Sequence, residues 1–164
     1  MAYPIKLLES DYEPIVWFFN PNIFPEKEYE IRRDELIKYC EKNKIKYIVE
    51  TYEPQEWYDY IKGLENEPEK GKRCDKCFEF RLFRAAEKAS ELNLNIFTTT
   101  LTVSPHKVSK NVFAVAQKAA LKYNIEFLEQ DFKKQDGFKK TMEIAKENDF
   151  YRQQYCGCEY SIRH

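Results

Sequence analysis

The sequence contains only four glycines among 164 residues, and no apolar run approaches the ~20 residues that a membrane-spanning helix needs. The scarcity of glycine excludes a low-complexity or linker-rich chain. The first residues lack the charged and then apolar pattern of a secretory signal. The sequence therefore predicts a cytoplasmic protein without a membrane partner.

The sequence also has no large excess of charge of either sign. Its 27 Lys and Arg residues are balanced by 28 Asp and Glu residues, for a net charge of −1. This balance does not indicate nucleic-acid binding, although it is compatible with a local basic face. Aromatic residues are plentiful, with 12 Phe and 12 Tyr. The length suits one domain with a buried core, and we expect a single domain over residues 1–164.

Short apolar runs predict strands, and periodic apolar positions predict helices between them. The predicted strands are residues 15–19, 46–49, 96–101 and 125–128. The predicted helices are residues 3–10, 26–43, 77–92 and 107–123, with a last helix that includes Phe138, Met142 and Ala145. This alternation predicts an α/β fold of the Rossmann-like kind, in which helices cover both faces of a mainly parallel sheet to give three α/β/α layers.

The dipeptide Ser104-Pro105 has the pattern of a helix start, with a Ser N-cap and Pro at the first helical position. A strand, a turn and a capped helix in succession would form an anion site, because free amide groups point outward there. Four threonines could add hydroxyls to that site: Thr98, Thr99, Thr100 and Thr102. These threonines could equally be present because they favour strand geometry.

Five cysteines in a cytosolic chain indicate metal ligands or redox groups more than structural disulfides. A Cys74-x-x-Cys77 turn can bring two sulfurs to one metal or cluster. We expect this pair to precede a helix, whose N-terminus and three nearby cations, Lys72, Arg73 and Lys76, would favour thiolates. The alternatives are a structural zinc site or two unrelated thiols.

The second pair, Cys156 and Cys158, is separated only by Gly157, which allows a tight bend. A disulfide across one residue closes a small strained ring, and strained disulfides are easily reduced, which suits an electron relay. Alternatively, the two pairs could form one Cys₄ zinc site, although a C-x-C spacing fits that pattern less well. Cys40 lies on the apolar face of its predicted helix and is interpreted as a core residue.

Several motifs taken together resemble the cobalamin-independent epoxyqueuosine reductases, the QueH type. They are GKRCDKC at 71–77, FTTTLTVSP at 97–105 and YRQQYCGC at 151–158, together with FNPNI at 19–23, Glu28-Tyr29 and Arg32-Arg33. The resemblance runs from about Trp17 to the C-terminus, and the order and spacing of the motifs agree.

The resemblance implies reduction of epoxyqueuosine to queuosine in the anticodon wobble position of tRNA, the last step of queuosine biosynthesis. The epoxide loses its oxygen to give an alkene, which takes two electrons and two protons and requires an electron donor. Family members carry a [4Fe-4S] cluster with an adjacent iron that can act as a Lewis acid. By motif, Cys74 and Cys77 are implied as cluster ligands, and Cys156 and Cys158 as the redox-active pair.

A tRNA partner would also need cationic contacts for its phosphates. The candidates are Arg73, Lys107, Lys110 and Arg152. Solvated surface charge is the alternative interpretation of all four residues.

The sequence departs from the family at its beginning. The family opens with a strand and a Cys-Cys-x-x-Cys or Cys-Cys-x-x-Asp loop that supplies further metal ligands, whereas no cysteine precedes Cys40 here. Residues 1–10 match the helix that follows this loop, and two cysteines cannot hold a four-iron cluster in the usual Cys₄ manner. We therefore expect the sequence to be N-terminally incomplete, with an inactive truncated relative as the alternative.

Two other functions are compatible with the same cysteines. One is a zinc-stabilised nucleic-acid-binding module in which all four paired cysteines are structural. The other is a thiol–disulfide or nucleotide-handling protein on a similar α/β fold, since a fold by itself does not specify function.

Overall fold

The computed structural model describes residues 1–162, and this part of the chain contains six α-helices, four short strands and two 3₁₀ turns. In chain order the elements are α1 (Ala2–Leu8), β1 (Ile15–Phe18), α2 (Glu26–Asn43), β2 (Lys46–Val49), α3 (Pro54–Tyr60), α4 (Lys72–Glu91), β3 (Ile96–Phe97), a 3₁₀ turn (Thr100–Val103), α5 (Ser109–Tyr123), β4 (Glu126–Phe127), α6 (Gly137–Glu147) and a second 3₁₀ turn (Glu159–Ser161). Over residues 1–162, no helix is long and apolar enough to cross a membrane.

The α/β class is confirmed, because helices alternate with strands that pair in parallel. Strand β1 pairs with β2, and β3 pairs with β4. The chain separates into two compact units: the first contains Met1–Asp59 and residues 139–162, and the second is Tyr60–Phe138. The single domain over residues 1–164 stays a prediction.

The first unit is built around the β1–α2–β2 succession. Helix α2 has acidic residues in its first turn, where they complement the helix dipole, and it ends at Lys44 in the left-handed region, with φ 57°. Its apolar face buries Leu36, Tyr39 and Cys40 against Phe18 of β1. Cys40 is fully buried, which confirms its interpretation as a core residue, and burial raises its pKa from 9.0 to about 11.

The core of the second unit is formed mainly by alanines of α4 and α5, whose small side chains let two helices approach closely. The buried residues are Leu82, Ala86, Ala89, Phe97, Val112, Ala116, Ala119 and Ala120. Helix α5 ends at Asn124 in the left-handed conformation, with φ 53°, and the chain passes directly into β4.

The structure corrects the strand predicted over residues 96–101, because only Ile96–Phe97 is a strand and a 3₁₀ turn follows it. Threonine hydroxyls bind backbone groups here and compete with a longer ladder. Thr98 donates to the carbonyl of Leu128 at 2.9 Å, and the Oγ1 of Thr99 accepts from the amide of Leu101 at 3.3 Å.

The predicted helix start at Ser104 is also wrong. Ser104 is the C-cap of the 3₁₀ turn, and its Oγ accepts a hydrogen bond from the amide of His106 at 3.3 Å. Helix α5 begins at Ser109. Its N-cap residue is Val108, whose side chain makes no capping hydrogen bond. The anion site predicted from a capped helix at Ser104-Pro105 therefore lacks the helix that it requires.

Two further boundaries differ from the predictions. Helix α4 begins at Lys72 and not at residue 77, so the Cys74-x-x-Cys77 pair lies within its first two turns and does not precede it. Helix α3, seven residues long, was not predicted. Its one buried residue, Trp57, carries too little periodic signal to predict a helix.

Candidate functional site

The Cys156-Gly157-Cys158 segment forms a tight loop in the first unit, which we call the CGC loop and define as residues 155–158. Gly157 has φ 134°, a conformation that side chains rarely adopt, so the motif requires glycine at this position. Cys158 is buried, with 8% of its surface exposed, whereas Cys156 is half-buried. No disulfide bond links cysteines within residues 1–162.

Every carbonyl of the CGC loop accepts a hydrogen bond. The Arg32 guanidinium donates through Nη2 to the Tyr155 oxygen at 3.4 Å and through Nη1 to the Cys156 oxygen at 3.3 Å. The Phe24 amide donates to the Gly157 oxygen at 2.8 Å, and the Ser161 hydroxyl donates to the Cys158 oxygen at 2.7 Å. The loop backbone is therefore held at four successive residues.

Arg32 is itself fixed by a charged pair on one face of α2. It contacts Glu28 one turn earlier with an Nη2–Oε1 distance of 2.7 Å, and the side chains of Arg32 and Glu28 are only 12% and 8% exposed. The other Glu28 oxygen accepts a hydrogen bond from the Tyr151 hydroxyl at 2.8 Å. This bond, with some burial, raises the pKa of Tyr151.

The segment before α2 closes around Gly157. A Cβ placed on Gly157 would lie 3.2 Å from Nη1 of Arg32, 3.3 Å from Cγ1 of Ile23 and 3.4 Å from Nδ2 of Asn22. Asn22 is only 4% exposed, and among the described residues its Oδ1 has no hydrogen-bond partner. The CGC loop thus packs directly against these side chains, and a larger residue at position 157 would have to push Arg32 and Ile23 back.

Aromatic residues surround the same loop. The Tyr155 hydroxyl donates to the Phe24 carbonyl, and the Arg32 guanidinium lies over the Tyr155 ring at 5.5 Å. Burial raises the pKa of Tyr155. The hydrogen bond to Phe24 ties the start of the CGC loop to the chain before α2.

Cys74 and Cys77 belong to the second unit, in the first two turns of α4. Three residues apart on a helix, they share one face, and both are half-buried. The Lys70 amide donates to Sγ of Cys74 at 3.2 Å. A hydrogen bond of this kind stabilises negative charge on sulfur, as a metal-bound thiolate requires.

These two thiols fit two ligand positions but do not complete a site. Within residues 1–162, no group of three or more His, Cys, Asp or Glu side chains is arranged to hold a metal ion. A Cys₄ cluster requires four thiolates. The described residues therefore offer two neighbouring thiols, fewer than a four-iron cluster requires.

Arg73, predicted as a phosphate contact, is 2% exposed and faces the interior of the second unit. Its Nη1 donates to the carbonyl oxygens of Glu65 at 2.8 Å and of Glu67. Arg73 therefore holds the loop that leads into the Cys74-x-x-Cys77 turn. Its burial argues against a phosphate contact.

The other predicted cations are more accessible. Lys110 in the first turn of α5 and Arg152 before the CGC loop are exposed. Lys107 is half-buried, and its ammonium lies 5.5 Å from the centre of the Phe78 ring. Lys110 and Arg152 remain compatible with phosphate contact.

The sequence patterns assign no role to Glu28 or Arg32, although both belong to motifs that resemble the family. An acidic and a basic residue four apart on a helix usually form a solvated pair. Here the pair is nearly buried and reaches a loop 124 residues further along the chain. One sequence feature could have indicated that the pair is buried: it lies on the side of α2 that also carries buried Tyr29.

Comparison with known proteins agrees with the cysteine motifs. The family model for epoxyqueuosine reductase QueH matches residues 1–164. The chain is 40% identical over 158 residues to the epoxyqueuosine reductase QueH of Acinetobacter baylyi, covering 96% of this chain and 72% of the relative. It is also 40% identical to the Haemophilus influenzae protein of the same name, covering 96% of this chain and 64% of the relative.

A third protein with this name, from Streptococcus pyogenes serotype M1, is 36% identical over 168 residues, which cover 99% of this chain and 66% of the relative. The chain thus spans roughly two thirds of the length of these relatives. The match extends over the entire chain and includes the segments that carry both cysteine pairs. On these grounds the chain belongs to the epoxyqueuosine reductase QueH family, a family of oxidoreductases.

Proposed function

We propose that the protein reduces epoxyqueuosine to queuosine in the wobble position of the tRNA anticodon. The observation that carries this proposal is the match of the family model over residues 1–164. The geometry of the CGC loop supports it, since two thiols lie on a backbone that is hydrogen-bonded at every carbonyl. Because the substrate is tRNA, the reaction belongs in the cytoplasm.

The proposed reaction needs two electrons and two protons, which a dithiol can supply. Cys156 and Cys158 would each give up one hydrogen and form a disulfide, while the epoxide loses its oxygen as water and becomes an alkene. An external electron donor would then return two electrons and two protons to the disulfide. The half-buried position of Cys156 favours it as the thiol that exchanges with reactants, whereas Cys158 is buried.

Cys74 and Cys77 are proposed as two ligands of an iron–sulfur cluster. Their shared helix face and the amide directed at Sγ of Cys74 fit metal-bound thiolates. A bound [4Fe-4S] cluster with an adjacent iron would supply electron transfer and Lewis acidity toward the epoxide oxygen. Cys74 and Cys77 of this chain would hold two positions of that group.

Lys110 and Arg152 are proposed to contact tRNA phosphates. Both side chains are exposed, and the negatively charged phosphates of the tRNA backbone attract accessible Lys and Arg side chains. Lys107 is a weaker candidate, because its ammonium already packs against Phe78. Contacts of this kind would bind the anticodon arm without reading its sequence.

The direct test is conversion of tRNA that carries epoxyqueuosine. The full chain, reconstituted with iron and sulfide under anaerobic conditions, is incubated with this tRNA and a chemical reductant, and the digested nucleosides are analysed by mass spectrometry. We expect loss of one oxygen atom from the modified nucleoside. Cys156→Ser and Cys158→Ser should each abolish conversion while cluster absorbance stays nearly unchanged, and Cys40→Ala should convert like the parent chain.

Metal content separates this proposal from its alternatives. Iron with acid-labile sulfide, lost in Cys74→Ser and Cys77→Ser, supports the cluster. One zinc per chain with no conversion would instead support a zinc-stabilised nucleic-acid-binding module. Conversion that survives Cys156→Ser, or a cluster that disappears with it, would contradict the proposed division of roles between the two cysteine pairs.

A further inference from the structure

Arg32 makes an unusual pair of contacts, because its two terminal nitrogens donate to the carbonyls of consecutive residues in the CGC loop, at 3.4 Å for Tyr155 and 3.3 Å for Cys156. We propose that Arg32 is a positioning residue that shifts the thiol–disulfide equilibrium of Cys156 and Cys158 toward the dithiol. This inference rests on the proposed function only in taking Cys156 and Cys158 as a redox pair.

The physical reason lies in the ring that the disulfide would close. Two cysteines separated by one residue form a small ring, which the backbone can accommodate only by changing its own torsion angles. In the structure these torsions are restrained, since the carbonyls of residues 155–158 are all hydrogen-bonded. These hydrogen bonds are all made in the dithiol form. Because closing the disulfide ring would disturb them, they favour the reduced state.

Arg32 supplies two of these hydrogen bonds from one side chain, so a single substitution at position 32 removes both. A planar guanidinium can donate to two carbonyls and to Glu28 at once, whereas an ammonium is a single point of charge. The Glu28 contact at 2.7 Å and the 12% exposure of Arg32 hold the guanidinium in that orientation. Lysine at this position would keep the charge and lose the simultaneous contacts.

Glu28 is held in turn by Tyr151, so the arrangement has a second layer. The Tyr151 hydroxyl donates to Oε2 of Glu28 at 2.8 Å, while Oε1 accepts from Arg32. Removing this hydroxyl leaves Oε2 without that hydrogen bond. The carboxylate is then less firmly oriented and holds Arg32 less firmly in place. Its effect on the thiol equilibrium should therefore have the same sign as that of an Arg32 substitution, and a smaller size.

The equilibrium is measured against glutathione. Cys156 and Cys158 give two hydrogens to one glutathione disulfide, which forms one protein disulfide and two glutathione thiols. After acid trapping and alkylation, trypsin releases residues 153–163, which contain only these two cysteines, so the other thiols of the chain do not interfere. The ratio of alkylated to oxidised peptide then gives the equilibrium constant.

We expect Arg32→Lys to favour the disulfide at least tenfold, which for a two-electron couple corresponds to a potential lower by about 30 mV. Tyr151→Phe should shift the equilibrium in the same direction by roughly twofold to fivefold. Arg33→Lys is the matched control, because Arg33 is the next residue of α2 and pairs with Asp34 without contacting the CGC loop. It should shift the equilibrium by less than twofold.

Thermal melting of each variant accompanies the titration. A merely structural role for Arg32 would lower the melting temperature and leave the equilibrium constant unchanged, and this result would overturn the inference. A shift toward the dithiol would overturn it as well. If Arg32→Lys does not fold, Tyr151→Phe decides, and an unchanged constant in that variant overturns the inference.

The outcomes also separate this inference from the proposed function. A shifted equilibrium in a chain that never converts epoxyqueuosine supports the inference and contradicts the function. Conversion by the parent chain with no shift in either variant supports the function and contradicts the inference. No conversion by the parent chain, together with no shift of the equilibrium in either variant, contradicts both.

Discussion

Gly157 lies directly against Arg32, since a Cβ added to the glycine would stand 3.2 Å from Nη1 of the arginine. The same nitrogen donates to the Cys156 carbonyl at 3.3 Å. Arg32 can therefore approach the loop this closely because position 157 has no side chain. Together Gly157 and Arg32 set the path of the backbone between the two cysteines.

Replacement of Gly157 by alanine tests this contact. The φ of 134° is strained for any side chain, and the added methyl group must also push Arg32 and Ile23 back by a few tenths of an ångström. We expect Gly157→Ala to destabilise the fold by about 1–3 kcal/mol and to lower the conversion rate at least tenfold.

Gly63→Ala is the matched control, because Gly63 also has positive φ, 86°, but a Cβ there meets nothing within 4 Å. Denaturant unfolding should show a cost of about 1 kcal/mol, and conversion should stay within twofold of the parent chain. Equal losses of conversion in the two variants would mean that backbone strain alone, and not the contact with Arg32, matters at Gly157.

Arg73 provides a prediction about stability. Arg73 is 2% exposed and binds the carbonyls of Glu65 and Glu67, so truncation would empty a buried position and remove both hydrogen bonds. We expect Arg73→Ala to reduce the free energy of unfolding by about 2–4 kcal/mol in urea titrations. The exposed neighbour Lys72→Ala should change it by less than about 0.5 kcal/mol. Similar small effects at both positions would contradict the structural role of Arg73.

Cys40 makes stability depend on alkaline pH. Burial raises its pKa from 9.0 to about 11, so the folded state retains a proton that the unfolded chain has already lost. The stabilisation is fully present below pH 9 and disappears as the pH rises through about 11. We expect the parent chain to lose roughly 2–3 kcal/mol more than Cys40→Ala between pH 8 and pH 11, as measured by denaturant unfolding. Parallel pH profiles for the two chains would contradict this prediction.

Salt dependence tests the proposed tRNA contacts. Log affinity falls as log salt concentration rises. If Lys110 and Arg152 each neutralise a phosphate, then removing either side chain makes this slope shallower by about one. Titrations of tRNA binding to Lys110→Ala and Arg152→Ala at several salt concentrations measure this slope. Lys38→Ala, exposed on α2, should leave the slope unchanged. A slope that no variant alters would exclude these residues as phosphate contacts.

Part of the fold could be predicted to the residue. Helix α2 and strand β2 have the bounds expected from the pattern, 26–43 and 46–49. Pro25 directly precedes α2, and the left-handed Lys44 separates the helix from β2 after the last helical turn. Local patterns of this kind suffice when neighbouring residues decide the conformation.

Other boundaries could not be predicted, because side chains or distant backbone decided them. The β-branched run over 96–101 has strong strand propensity, but Thr102 uses its hydroxyl to bind the carbonyl of Gln130 at 3.0 Å and the amide of Phe132 at 3.2 Å. Those partners are 28 and 30 residues away. The threonines therefore serve to join segments, which neither strand propensity nor an anion site explains.

The candidate site shows the same division. The sequence by itself determined which groups carry the chemistry, because the residue types and spacing of Cys74, Cys77, Cys156 and Cys158 are local properties of the chain. Only the tertiary structure decided that Arg32 holds the CGC loop while Arg73 supports another loop from the interior. Both are arginines in charged segments, and their roles differ because hydrogen bonding depends on which carbonyls the folded chain brings within reach of each guanidinium.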